Sequence, residues 1–236
     1  MTRIKLCGLS RKKDILAANS LMPEYVGFVF WEKSRRYVSP GKAETLRKIL
    51  APEILSVGVF VDEDPENIAA LTQRGVIDLI QLHGQENEEY ISSLRTLTEK
   101  TSLRTLTRKT SLRTLTGKTR LRTLSATPII KAFKFGEVRK TTADYVMIDS
   151  GMGTGQKFDW SAIDLTPDVK SRLFIAGGLT PENVGQAIRT FQPFAVDVSS
   201  GIETKGVKDK AKMTAFVDAV RANTTAFVDA VRKETL

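Results

Sequence analysis

LFIAGGLTPENVGQAIRTFQPFAVDVSSG, residues 173–201, decides how the rest of the chain is read. It opens on one short apolar run, LFIAG (173–177), and closes on another, FAVDV (194–198), both rich in β-branched or aromatic residues and bounded by turn formers, which is the pattern of strands. Between them Pro181 stands where the first turn of a helix accepts proline, and the helical pattern runs to Thr190. Strand, helix and strand in so short a space form a βαβ unit. The runs are apolar throughout instead of alternating, so both faces of the sheet are expected to be covered, as in a parallel sheet.

The same rhythm extends back to the N-terminus. Six further strands are expected at 3–7, 25–30, 55–60, 79–83, 128–133 and 145–149. Helices are expected over Lys12–Leu21, Pro40–Leu50, Pro65–Gly75 and from Asn87 onward, while the stretch between the fifth and sixth strands is too short for a full one. Eight strands alternating with helices predict the α/β class and, most simply, a (β/α)8 TIM barrel forming a single domain over residues 1–236.

Two tandem duplications interrupt this plan. A nine-residue phrase of the form SLRTLTxKT fills residues 93–119, and TAFVDAVR occurs at Thr214 and again at Thr225, so that 214–235 is a duplicated C-terminal helical segment. Without three nine-residue copies and one eleven-residue copy, 198 residues remain. Eleven residues turn a helix by nearly a whole number of turns, which puts Phe216, Val217 and Val220 on one stripe with Phe227, Val228 and Val231. Either copy is therefore expected to fit the same seat. Nine residues leave the helix half a turn out, so successive leucine pairs face opposite sides and no single helix buries them all. The tract is expected to leave the fourth helix at the face remote from chemistry, where it doubles back or is mobile.

Composition excludes several classes. The net charge of +9 would suggest nucleic acid as a partner, but the three nine-residue copies hold seven cations against Glu99 alone and account for +6 of it. The tract has no aromatic side chain to stack on bases, so no nucleic-acid partner is expected. No apolar run is long enough for a membrane span and MTRIKLCGLS lacks a signal-peptide layout, so the expected location is cytoplasmic. One cysteine and one histidine argue against a disulfide and against a metal site rich in thiolate or imidazole.

A barrel of this kind places its chemistry where the strands end. There lie Cys7, Arg36, Asp62, His83, Asp149, Gly177-Gly178 and Ser199-Ser200-Gly201. The two glycine-rich exits, reinforced by the helix near Pro181, suit a phosphate, since backbone N–H groups can close on an anion there; tight turns would also account for them. Cys7 at a strand exit reads as a general base if nearby cations lower its thiol, and otherwise as a small buried hydrophobe. Asp149 reads as a proton donor kept neutral by desolvation, or as a cap for the turn at Ser150-Gly151. Arg36 offers a planar fork to a carboxylate or is a solvated loop residue, and His83 could pair with Cys7 as a nucleophilic dyad.

IKLCGLS, VGFVFWEKSRRYVSP, VGVFVDEDPENI, IQLHGQE, IDSGMGTGQKFDW, IAGGLTPENV and FAVDVSSGIETKGVKD together resemble the phosphoribosylanthranilate isomerase family of tryptophan biosynthesis over nearly the whole chain apart from the duplications. The resemblance implies a cofactor-free Amadori rearrangement of a small sugar phosphate. It implies that Asp149 protonates the ribose ring oxygen, that Cys7 removes the C2 proton and that Arg36 holds the anthranilate carboxylate. It also implies that the loops around Gly177, Gly178, Ser199, Ser200 and Gly201 hold the phosphate, with Asp197 and His83 in matching blocks but with less defined roles. The chain could be a monomer or a homodimer. The alternatives are another small phosphate-binding barrel enzyme, or an impaired barrel whose basic repeat serves as a binding scaffold.

Overall fold

The computed structural model describes residues 1–109, 127–149 and 167–234; in the two longest helices side chains are described as far as Glu99 and Thr224. Eight parallel strands close into a barrel in chain order: β1 (Arg3–Cys7), β2 (Tyr25–Val29), β3 (Leu55–Phe60), β4 (Leu79–Leu82), β5 (Ile129–Lys134), β6 (Tyr145–Asp149), β7 (Leu173–Ala176) and β8 (Ala195–Val198), with β8 pairing back to β1. Outside them run α1 (Lys12–Leu21), α2 (Pro40–Ile49), α3 (Pro65–Gln73), α4 (Glu88–Lys109), α5 (Pro167–Ser171), α6 (Val184–Phe191) and α7 (Lys210–Glu234). The segment between β5 and β6 contains no helix, as its length requires.

Local chemistry sets the helix starts. Ser39 and Asp64 accept hydrogen bonds from the backbone N–H of Lys42 and Glu66, and Pro40 and Pro65 follow them where no N–H is needed. Helix α6 begins at Val184, three residues later than Pro181 suggests. The cause is a turn: Asn183 accepts from the Thr180 N–H at 2.8 Å and donates to the Gly178 carbonyl at 3.0 Å, which holds 180–183 out of the helix.

Two apolar layers result. Side chains pointing out of the barrel meet the helices in the main core, where Leu6, Phe28, Phe60 and Ile80 are fully or almost fully buried. Side chains pointing in, among them Val57, Ile130, Met147 and Phe174, fill the interior. Burying such a side chain contributes about 1.5–3 kcal/mol. Near the N-terminal mouth Tyr145, Phe174 and Phe194 form an aromatic cluster, with the Arg3 guanidinium 4.1 Å from the Phe194 ring centre.

The first copy of the C-terminal duplication takes the seat on the barrel. Phe216, Val217 and Val220 are wholly buried between α7, α1 and α6, and the helix runs unbroken through the second copy to Glu234. Helix α4 likewise continues into the nine-residue repeat, with Leu94 fully buried and Leu97 only partly. The rest of the tract, residues 110–126, lies outside the described residues, as does the expectation that it doubles back.

Candidate active site

Inward-facing residues alternate along a strand, so the period of two fixes which groups share the mouth. Along β1 the interior receives Lys5 and then Cys7; along β4 and its exit, Gln81 and His83; along β6, Met147 and Asp149; along β8 and its exit, Asp197 and Ser199. The upper members of these pairs converge in one cleft of about 340 Å³ at the C-terminal mouth, lined by Cys7, Arg36, His83, Asp149, Gly177, Gly178, Asp197, Ser199 and Ser200. Gly201 stands just behind it against the Leu179 carbonyl. Asp62 does not join them: it accepts the Gln85 N–H at 2.6 Å and serves the β4 loop.

His83 faces Asp149 and not Cys7. Its Nε2 is 3.4 Å from Asp149 Oδ2, and its Nδ1 is 3.1 Å from the Gln81 side-chain amide. An amide N–H donating to Nδ1 leaves Nε2, beside the carboxylate, as the nitrogen that carries a ring proton. The Cys–His dyad, already disfavoured by the separation of the two strand exits, is not seen: β4 and β6 flank β5, whereas β1 lies three strands from β4. Asp149 keeps access to the cleft, with 30% of its side chain exposed.

Cys7 is the chain's one cysteine and is 6% exposed, packed with Val29 and Val59. Burial pushes its thiol above the ordinary value; Lys5 and Lys208 oppose that shift without overcoming it, and Asp197 adds to it. The expected lowering by cations is thus corrected: cations are present, but desolvation outweighs them.

Arg36 belongs to a charge cluster that sequence reading missed. Its Nε and Nη2 grip both oxygens of Glu203 at 2.6 and 2.9 Å, Arg35 reaches the same carboxylate at 2.8 Å, and Lys208 does so at 2.7 Å. Burial works against the Glu203 charge, yet hydrogen bonds from Arg36 and Lys208 hold its carboxyl below the usual range. Glu203 and Lys208 sit on a two-stranded hairpin, β9 (Glu203–Thr204) and β10 (Val207–Lys208), and Lys208 also donates to the Ser199 carbonyl at 2.7 Å. Three cations around one carboxylate leave positive charge beside the cleft, which suits a dianionic ligand.

The glycine exits form its far wall. Gly177 and Gly178 have φ of 88° and 61°, in the left-handed region, and a Cβ on Gly201 would overlap the Leu179 carbonyl oxygen. A 3-10 turn over Ser200–Ile202 follows β8. Ala in place of Gly201 is therefore expected to lower stability by about 1–3 kcal/mol and to raise KM at least tenfold by displacing these N–H groups. Denaturant melts and steady-state kinetics measure the two effects; unchanged values for both would separate this wall from binding. Of the IDSGMGTGQKFDW block only Ile148 and Asp149 are described; Ser150 and the residues to Trp160 lie outside the described residues.

Known proteins resemble this chain over most of its length. The family model described as N-(5'-phosphoribosyl)anthranilate (PRA) isomerase matches residues 4–110 and 113–219. An N-(5'-phosphoribosyl)anthranilate isomerase of Acetivibrio thermocellus is 41% identical over 224 residues, covering 94% of this chain and 96% of that protein. One from Lacticaseibacillus casei strain BL23 is 37% identical over 222 residues, with the same coverage. Among solved structures, the phosphoribosyl anthranilate isomerase of Thermotoga maritima is 31% identical with a TM-score of 0.69, covering 94% of this chain and all of that one. A phosphoribosyl anthranilate isomerase in complex with reduced 1-(o-carboxyphenylamino)-1-deoxyribulose 5-phosphate is 30% identical with a TM-score of 0.68, again covering 94% and 100%.

Proposed function

This chain belongs to the N-(5'-phosphoribosyl)anthranilate isomerase family, and we propose that it carries the family's reaction between Asp149 as acid and Cys7 as base. The reaction converts N-(5'-phosphoribosyl)anthranilate into 1-(2-carboxyphenylamino)-1-deoxyribulose 5-phosphate in tryptophan biosynthesis. Asp149, with the His83 N–H at its other side, gives a proton to the ribose ring oxygen; the C1–O bond breaks and the anthranilate nitrogen becomes an iminium. Cys7 as thiolate takes the C2 proton, its electron pair neutralises the iminium, and the resulting enolamine tautomerises to the ketone. Atoms balance without a redox partner, as an isomerisation requires.

The observation that supports this most is the meeting of a thiol and a carboxyl in one cleft whose remaining wall offers anion-binding backbone and guanidinium. The backbone at Gly177, Gly178, Ser199, Ser200 and Gly201 takes the phosphate. Arg36, fixed by Glu203, turns its remaining donors to the anthranilate carboxylate, and Asp197 faces the sugar. The small sugar phosphate is the partner of this site; nucleic acid is not, and residues 1–236 act as one catalytic domain with the repeat at 93–119 outside the chemistry. No helix among the described residues is long and apolar enough to cross a membrane, and the cytoplasm is the compartment proposed. A related Thermotoga maritima enzyme is described as dimeric, and a monomer or homodimer is proposed here.

Loss of the substrate's fluorescence on turnover tests the proposal. Arg36→Ala is expected to raise KM by about 10- to 100-fold, the equivalent of about 1.5–3 kcal/mol of charged hydrogen bonding, with a smaller change in kcat. An unaltered KM would remove Arg36 from carboxylate binding.

A further inference from the structure

Lys5 is a fully buried charge that the mechanism does not use. Lys5 precedes Cys7 by two residues on β1, so both side chains enter the barrel, one directly beneath the other. It is fully buried, among the largest side chains with no exposure, and it does not line the cleft. Its ammonium is 2.7 Å from Asp197 Oδ1, and the two residues are register partners where β8 closes onto β1. On the same face of β1, its positive charge favours an ionised Cys7 against the larger opposing effect of burial. An ammonium with no water around it is costly to bury, and one carboxylate would suffice to compensate it. A lysine one inward-facing position before the thiol, with its ammonium on the neighbouring strand's carboxylate, has a further use.

We propose that Lys5 is a positioning residue for the base: a buried ammonium, shared between Asp197 and the sulfur, that supplies the counter-charge under which Cys7 works as a thiolate. The proposal rests on the reading of Cys7 as the base and adds the group that makes a thiol so deeply buried serviceable. Other charges reach Cys7 from its surroundings: Asp197 on β8, Lys208 on β10 and Arg36 from the loop after β2, with His83 and Asp149 on the opposite side of the cleft. Lys208 and Arg36 are committed to Glu203, at 2.7 and 2.6 Å. Lys5 is fully buried and lies outside the cleft lining, so its charge stays available to the sulfur through the whole cycle. Although burial opposes it, the ammonium is held above its ordinary value by Asp197 and Cys7 and does not surrender its proton at neutral pH.

Because the chain has one cysteine, alkylation by iodoacetamide reports this thiol alone. In substrate-free protein, Lys5→Met is expected to slow alkylation at neutral pH about tenfold or more and to move the rate profile to higher pH, while Asp197→Asn moves it to lower pH and accelerates the reaction. The acid limb of kcat should follow in the same two directions. A merely structural role for Lys5 would not produce opposite shifts from its two neighbours. An alkylation profile unchanged in a folded Lys5→Met protein overturns the proposal; should that variant not fold, Asp197→Asn decides, and an unchanged or slower rate overturns it. Turnover surviving in Cys7→Ser would end the reading of the base without altering this titration, which keeps the two failures apart.

Discussion

Cys7→Ser is expected to lower kcat/KM by about 10²–10⁴, the range that a positioned base contributes, equivalent to about 3–5.5 kcal/mol of transition-state stabilisation. The substitution preserves shape, so a loss can be assigned to acidity. A serine hydroxyl titrates far above a thiol and cannot become the anion that removes the C2 proton. Because Cys7 belongs to a small apolar cluster with Val29 and Val59 in the upper barrel, the melting temperature should shift by no more than a few degrees. KM should hardly move, since the groups proposed to bind the two anions are elsewhere. The loss should also carry a signature. With C2 proton removal made slower, substrate deuterated at C2 should show a full primary isotope effect.

Asp149→Asn is expected to cost at least about 10² in kcat, for the complementary reason. The carboxamide keeps the volume and the approach to His83, 3.4 Å away in the native protein, but has no acidic proton to deliver to the ring oxygen. Ring opening then becomes the slow step, and the deuterium effect at C2 should shrink towards unity. The two variants are thereby distinguished by more than their rates. Similar isotope effects in both would mean that the acid and base act in one step or that the assignments are reversed.

Much of this was readable from residues. Each of the eight strands falls within a residue or two of its expected limits, because parallel barrel strands are buried on both faces and announce themselves as apolar runs. The cleft was legible for the same reason: groups that interrupt such runs at their exits, Cys7, His83, Asp149 and Ser199, are carried to one mouth.

What escaped was governed by contacts. The hairpin of Glu203 and Lys208 has strands of two residues, too short to show alternation, yet it supplies the carboxylate that fixes Arg36. The barrel's strand order separates His83 from Cys7, but its partnership with Asp149 needed the side-chain geometry. The state of the Cys7 thiol depends on a contest between burial and two lysines, whose outcome only the geometry decides. Lys5 was findable: a lysine two residues before an inward cysteine, on an otherwise apolar strand, must point the same way.

The most direct measurement is a crystal structure of this chain with reduced 1-(o-carboxyphenylamino)-1-deoxyribulose 5-phosphate, the compound bound in one related enzyme. The account predicts Cys7 Sγ about 3.5 Å from the carbon corresponding to C2, the Asp149 carboxyl at the oxygen released from the ring, and the phosphate against the backbone of 177–178 and 199–201. A ligand seated with its C2 carbon remote from the sulfur, or outside this cleft, would contradict it.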